Sequence, residues 1–273
     1  MAKPKRIIAA NTVQLTLYQI DAFASRPFEG NPAAVCPLEA WLPDTVMQAI
    51  AMENNLSETA FFVRTPNGFH LRWFTPRGEV KLCGHATLAS AYVIFNLLDY
   101  AQDRLVFDTL SGPLHVTRQD DWFEMDFPAQ VPQPCTTPMA MLDAFGQSPA
   151  ACLKAEDYIV VFEDERLVRE VQPDMRALAQ LDLRGVAITS RSREVDFITR
   201  FFAPNYGINE DPVTGSAFTQ LIPYWSQQLG RSALLAKQVS ARGGEVRAEL
   251  KGDRVHIAGQ AIKFLEGMIE IKF

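Results

Sequence analysis

Apolar and polar positions alternate over short runs through most of the chain, and twice give way to a denser apolar pattern. Residues 17–23, 33–36, 59–63, 69–74 and 105–108 are rich in β-branched and aromatic side chains and are bounded by turn-forming residues. Each is therefore read as a strand. Residues 112–127 add two more strands around Asp120-Asp121. A short amphipathic helix opens at Pro43-Asp44, with Val46, Met47, Ile50 and Ala51 on one face. Residues 86–98 behave differently, because Leu88, Ala89, Ala91, Tyr92, Val93, Ile94 and Phe95 leave almost no polar face. Residues 217–229 repeat this less strongly, with Phe218, Leu221, Ile222, Tyr224 and Trp225. A helix that is apolar all round must be buried all round.

These elements recur in order. Arg72-Trp73-Phe74-Thr75-Pro76 returns as Arg200-Phe201-Phe202-Ala203-Pro204, an offset of 128 positions. Pro43-Asp44 returns as Pro173-Asp174, which opens a similar helix with Met175, Leu178 and Ala179, an offset of 130. Gly84-His85-Ala86 returns as Gly215-Ser216-Ala217, an offset of 131, and the hairpin at 112–127 returns at 244–259 around Gly252-Asp253, an offset of 132. Four ordered matches at nearly one spacing indicate a duplicated unit. The expected fold class is α+β, with two pseudo-symmetric halves, each a curved, mostly antiparallel sheet wrapped around one central helix. The expected division is residues 1–128 and 129–273, because residues 128–138 hold four prolines and little periodicity, which is linker chemistry. The sequence leaves open whether the last strand, residues 269–273, crosses back to the first half.

Composition narrows the partners. Hydrophobic residues make up 48% and charged residues 21% of 273 positions, as in an ordinary globular protein. A net charge of -6 argues against nucleic acid and acidic membrane surfaces. The cluster Lys3, Lys5 and Arg6 precedes an apolar stretch, residues 7–10, too short for a signal peptide. The longest mostly apolar run, residues 86–98, is shorter than the roughly 20 residues needed to span a bilayer. Cys36, Cys83, Cys135 and Cys152 are widely spaced, which fits a reduced, cytoplasmic protein.

Familiar chemical signatures are missing from the sequence. It has no G-x-G-x-x-G, P-loop, H-E-x-x-H or G-x-S-x-G, and His70, His85, His115 and His256 are scattered. The expectation is a protein working without metal, nucleotide or other cofactor. What remains is a pair of glycine-led helix starts, Cys83-Gly84-His85-Ala86-Thr87 and Asp211-Pro212-Val213-Thr214-Gly215-Ser216. The first N–H groups of a helix lack intrahelical acceptors, and the helix dipole favours an anion there. In a duplicated protein the two starts can face each other across a cleft and hold a small carboxylate. The plainer reading gives Gly84 and Gly215 a packing role and Ser216 a capping role. A single site would favour that reading, whereas two matching sites favour the functional one. Glu58 stands between a helix and an apolar strand, where an unpaired carboxylate is costly if buried. Composition alone does not set it above Glu53 or Glu79.

Several stretches together resemble one family. Tyr18-Gln19-Ile20-Asp21-Ala22-Phe23 through Gly30-Asn31-Pro32-Ala33-Ala34-Val35 is similar to the opening of the phenazine-biosynthesis PhzF family. Asn55-Leu56-Ser57-Glu58-Thr59-Ala60-Phe61, Cys83-Gly84-His85-Ala86-Thr87, Asp211 to Ala217 and Arg242-Gly243-Gly244 resemble its other signatures, and the likeness runs from about Leu15 to the C-terminus. The resemblance implies a diaminopimelate epimerase-like fold and a homodimer. It implies Glu58 as the proton-transfer residue, with His85 and Asp211 beside it. It also implies that Ser216 and the backbone of Gly84, Thr214 and Gly215 bind substrate. Two departures stand out. Phe218 takes a place where family members often carry histidine, which is expected to change the polarity of the pocket. The related epimerases use two cysteines, whereas here Cys83 is matched by Pro212, so Cys83 is read as a small packed residue.

The function expected is a cofactor-independent isomerase. It would move a proton within a small carboxylate-bearing metabolite by general acid–base catalysis at Glu58. Burial raises a carboxyl from its reference pKa of about 4.3 and makes it a better base. A racemase or epimerase using the same site is one alternative. A non-catalytic small-molecule or protein-binding member of the fold is another.

Overall fold

The computed structural model describes residues 7–9 and 12–272; the basic cluster Lys3, Lys5 and Arg6 and the terminal Phe273 lie outside them. In chain order the first elements are β1 (Ile7–Ala9), β2 (Thr12–Ala22), β3 (Asn31–Leu38), α1 (Asp44–Asn54), β4 (Thr59–Thr65), β5 (Gly68–Thr75) and β6 (Gly78–Val80). They are followed by α2 (Gly84–Tyr92), a π-helical turn (Val93–Leu97), β7 (Arg104–Thr109), β8 (Gly112–Gln119) and β9 (Trp122–Pro128). The chain continues with β10 (Gln133–Pro134), α3 (Met139–Phe145), β11 (Ala151–Lys154), β12 (Tyr158–Val161), α4 (Glu165–Glu170), α5 (Met175–Leu178) and β13 (Val186–Arg191). Next come β14 (Phe197–Ala203), β15 (Ile208–Asp211), a 3-10 turn (Gly215–Ala217) and α6 (Phe218–Leu229). The last strands are β16 (Ala233–Gln238), β17 (Gly244–Lys251), β18 (Arg254–Gly259) and β19 (Ala261–Lys272).

The chain forms two compact units, Met1–Asp126 with Gly259–Phe273, and Phe127–Ala258. This corrects the expected division at residue 128, which assigned everything after it to the second half. Residues 259–273 return to the first unit because β19 pairs along the whole of β2, with Ile269 opposite Leu15 and Ile271 opposite Val13. Val13 and Leu15 are themselves buried, with Ile269 and Ile271 packed on the same cluster.

Within each unit the strand order is the same. In the first, β2, β3, β4, β5, β7, β8 and β9 are neighbours in that order, with β3–β4 and β5–β7 parallel and the other pairs antiparallel. In the second, β11, β12, β13, β14, β16, β17 and β18 follow suit, with β12–β13 and β14–β16 parallel. β6 and β15 hang on β5 and β14 in the same manner. Repeated side-chain chemistry accompanies the repeated topology. Arg72 Nε meets Glu79 at 2.7 Å and its guanidinium lies 5.1 Å from the Phe74 ring centre. Arg200 Nε meets Glu210 at 2.7 Å and lies 5.0 Å from the Phe202 ring centre.

The central helices are the ones that the apolar pattern marked. From Gly84 to Ala91 every residue of α2 is buried, and Phe218, Leu221 and Ile222 of α6 are fully buried. Fully burying a leucine or phenylalanine stabilises a fold by about 1.5–3 kcal/mol, so these two helices are the anchors of their cores. Both depart from the single continuous helix expected. The first ends in the π turn at Val93–Leu97, and the second begins with the 3-10 turn at Gly215–Ala217. The helix expected after Pro173-Asp174 is also shorter: α5 has four residues, with Asp174 accepting N–H groups from Arg176 and Ala177. Gly30 fixes the β2–β3 turn. Its φ is +68°, and a Cβ there would run into the carbonyl oxygen of Ala22, so no other residue fits.

Candidate active site

Glu58 is placed by a helix stop. α1 ends at Asn54, and Asn55 takes a left-handed conformation (φ 49°) whose N–H bonds back to the Ala51 carbonyl at 3.2 Å. That reversal carries the chain through Leu56 and Ser57 to Glu58, at the threshold of β4. The Glu58 carbonyl then accepts the Ala34 N–H at 3.3 Å, which ties it to β3. The side chain is 13% exposed, and its Oε2 lies 3.2 Å from Nε2 of His85, itself 7% exposed.

His85 sits in the first turn of α2, where Cys83 is the N-terminal capping residue in an extended conformation. The first amide bonded back is that of Thr87, to the Cys83 carbonyl at 3.2 Å, so the N–H groups of Gly84, His85 and Ala86 precede the helix's own hydrogen bonding. Burial lowers the His85 pKa to about 3, which leaves the imidazole neutral at physiological pH. The contact with Glu58 is then a neutral imidazole against a carboxyl group rather than an ion pair. The other ring nitrogen, Nδ1, lies 3.5 Å from Sγ of Cys83. The direction of the Cys83 contact at Nδ1 follows the tautomer of the ring. Cys83 is buried, as expected, but it also touches the imidazole, which the sequence reading missed.

Glu58, Cys83 and His85 offer metal-ligating atoms within 4.8 Å of one another. The carboxylate and the thiol meet different nitrogens of the His85 ring.

The second unit builds its own constellation at the end of β15. The Thr214 hydroxyl donates to Asp211 Oδ2 at 2.5 Å, and the Thr214 N–H donates to Oε1 of Gln238 at 2.9 Å. The same Gln238 amide donates through Nε2 to the Asp211 carbonyl at 2.7 Å and to Thr214 Oγ1 at 3.3 Å. Ser240 Oγ donates to the Pro212 carbonyl at 2.8 Å. The loop that carries Asp211, Thr214, Gly215 and Ser216 is thus held from β16 and the turn beyond it. Asp211, Thr214 and Gly215 are buried, whereas Ser216 is half-buried. A cation stands nearby: Arg184 is bound at 2.6 Å to the fully buried Asp157, and although burial works to lower its pKa, the hydrogen bond and charge of Asp157 raise it, with smaller contributions from Glu156 and Asp211.

The structure therefore brings Glu58 to His85 beside Gly84 in the first unit, and Asp211 to Thr214 beside Gly215 and Ser216 in the second. Phe218 is fully buried, with its ring 6.2 Å from that of Phe197 in the core of its unit. One expectation needs correction. Pro212 is not the counterpart of Cys83. Thr214 caps the second turn as Cys83 caps α2, so the second position carries a hydroxyl. Sequence reasoning missed Gln238 altogether, since a glutamine in a strand ordinarily reads as a solvent-facing residue.

The family model described as phenazine biosynthesis-like protein (PhzC-PhzF) matches residues 20–267. An uncharacterized isomerase of Pseudomonas aeruginosa is 52% identical over 259 residues, covering 95% of this chain and 100% of the relative. The crystal structure of a PhzF-family phenazine biosynthesis protein from Enterococcus faecalis superposes with a TM-score of 0.92 at 46% identity, covering 94% of this chain and 99% of that one. A hydroxyproline epimerase from Agrobacterium vitis, solved with trans-4-hydroxy-L-proline, gives a TM-score of 0.62 at 10% identity over 95% of this chain and 93% of that one. At that identity the likeness is one of fold, and it is the epimerase-like α+β architecture that the sequence led us to expect.

Proposed function

The chain belongs to the PhzC-PhzF family of phenazine biosynthesis-like proteins, and on that footing we propose that it is an isomerase that shifts a proton within a small carboxylate-bearing metabolite. Glu58 is the general base and acid of this reading, and no cofactor takes part. The observation that carries it is the pairing of a largely buried carboxylate with a neutral histidine at 3.2 Å. A neutral imidazole beside the carboxylate leaves its charge uncancelled, so Glu58 can take a proton from an activated carbon. When the proton is on Glu58, the same carboxyl can return it to another atom on that face of the substrate. An imidazolium in this position would instead hold Glu58 ionised and make it a weaker base.

In this reading the early N–H groups of α2, at Gly84 and His85, bind an anionic group of the substrate. Thr214, Gly215 and Ser216 bind substrate as well, and Asp211, with its short bond from the Thr214 hydroxyl, is the second titratable group in contact with it. A homodimer in the cytoplasm completes the proposal, and light scattering tests the first part. Among the described residues no helix is long and apolar enough to cross a membrane.

The experiment is a panel of small carboxylic acids incubated with the protein in deuterated water and followed by proton NMR. A substrate shows a new isomer and, where the carboxyl exchanges its proton with solvent, deuterium at the accepting carbon. Inversion at a single carbon, with no shifted double bond, would replace the isomerase reading with an epimerase. Turnover unchanged by Glu58→Gln would overturn the assignment of Glu58.

A further inference from the structure

A cavity of about 430 Å³ opens in the first unit, away from the Glu58–His85 cluster. Its apolar wall includes Leu38, Phe62, Phe69, Ile94 and Leu98. Leu98 lies 13 residues after His85 along the central helix, so the cavity is at the helix's opposite end, roughly 20 Å away at about 1.5 Å per residue. The volume and lining fall in the range of small-molecule sites, which are mostly apolar with a few polar groups that set orientation.

The polar groups at this mouth are of both signs. Arg64 and Glu39 line it, both are exposed, and neither has an ion pair or hydrogen bond among the described residues. β3 and β4 run parallel with Leu38 opposite Val63, so the next positions, Glu39 just beyond β3 and Arg64 within β4, follow on neighbouring strands spaced about 4.8 Å apart. A cation and an anion side by side above an apolar chamber match a ligand whose own opposite charges are adjacent and whose remainder is apolar. An apolar α-amino acid has that pattern.

The backbone around the chamber is shaped at a cost. The central helix widens to a π turn at Val93–Leu97, which contributes Ile94, and Leu98 closes that turn. Asp99, also in the wall, has a φ of +52°. π turns are rare and recur at functional sites, and a left-handed non-glycine residue is held there by its surroundings.

We propose that this cavity binds the zwitterion of an apolar α-amino acid, with the carboxylate on Arg64, the ammonium on Glu39 and the side chain among Phe62, Phe69, Ile94 and Leu98. The site is independent of the reaction at Glu58.

Isothermal titration of the full chain with L-phenylalanine and L-leucine tests it, with 3-phenylpropionate and phenethylamine as probes lacking one charge each. At least one of the two amino acids binds with a stoichiometry of one, and more tightly than either single-charge probe. Arg64→Gln weakens the amino acid and 3-phenylpropionate by about tenfold or more, the loss of one charge-assisted contact. Glu39→Gln weakens the amino acid but not 3-phenylpropionate. Binding is unchanged in Glu58→Gln. No heat from either amino acid at millimolar concentration would overturn the proposal, as would binding insensitive to Arg64→Gln. Loss of binding in Glu58→Gln would also overturn it, because it would place the probe at the other site.

Discussion

Nε2 of His85 lies 3.2 Å from Oε2 of Glu58, and burial holds that imidazole neutral. The two facts constrain each other. An ion pair at this distance would require a protonated ring, but the cost of a buried imidazolium exceeds what one neighbouring carboxylate returns here. The contact is therefore one between a neutral ring and a carboxyl group.

Glu58→Gln keeps the size and hydrogen-bonding capacity of the side chain and removes the base. General acid–base groups contribute on the order of 100- to 10,000-fold, so kcat on a confirmed substrate should fall by that range with little change in KM. Thermal unfolding should be unchanged or shifted slightly upward, since a largely buried charge no longer opposes folding. Steady-state kinetics and a melting curve on one preparation check both parts.

His85 should leave a signature in acid. Its pKa is about 3 in the folded protein against the ordinary 6.5 of histidine, so between those values the unfolded chain binds the extra proton. Stability is then fully present above about pH 6.5 and is lost as pH falls towards 3. The slope approaches about 1.4 kcal/mol per pH unit for one proton. His85→Asn should flatten the acid limb by about that slope. Urea unfolding of both proteins at pH 7.5, 6.0, 5.0 and 4.0 measures it (pH values chosen to bracket the ordinary histidine range, about 6.5). Parallel limbs would show that the imidazole is not buried as described.

Much of this architecture is legible in the sequence because its causes are local. The strands around 59–63 and 69–74 follow from β-branched and aromatic runs, and the all-apolar stretch at 86–98 demands a buried helix. The return of β19 to β2 is not local. It depends on a register between segments at opposite ends of the chain, and β19 itself has no fully buried position. The π turn at Val93–Leu97 left no mark either, since its residues continue the same apolar pattern as α2. At the site, Glu58 was singled out by a family signature and not by any physical feature of its neighbours in sequence. Gln238 had neither, because its partners lie 24 and 27 residues away.

Cys83 separates two kinds of chemistry. Its Sγ lies 3.5 Å from His85 Nδ1, so in the proton-shift reading the thiol supports the imidazole and does not touch the proton in flight. Cys83→Ser then keeps a donor and should retain activity, while Cys83→Ala should lose no more than about fivefold, the value of one neutral hydrogen bond. A thiol acting as the second base of an epimerase would lose far more in both variants. Turnover of Cys83→Ser and Cys83→Ala on the same substrate decides between them.

Gln238 offers the sharpest test of the second constellation. Its amide is fully buried and satisfies the Thr214 N–H with its oxygen and the Asp211 carbonyl with its nitrogen. Because a backbone N–H can meet only an acceptor, the orientation of the amide is fixed by its partners. Gln238→Ala removes both and leaves two buried backbone groups unmet, at about 1–3 kcal/mol each before any relaxation. The variant should melt several degrees lower and, where it folds, show a raised KM as the loop of Thr214, Gly215 and Ser216 loosens. Gln238→Glu is more informative, since it keeps the shape but turns the donor into an acceptor facing the Asp211 carbonyl. A buried glutamate so placed has its pKa raised above the ordinary value of about 4.3. Its protonated form still donates, so this variant should approach wild-type stability near pH 5 and lose it as pH rises through the raised pKa. Both proteins keep the acid limb set by the burial of His85, so the substitution shows as a loss of the variant's stability relative to wild type as pH rises. Melting curves of the two proteins between about pH 5 and pH 8, bracketing the usual optimum of stability, should therefore diverge with rising pH. If they stay parallel, the amide of Gln238 is not what holds the loop.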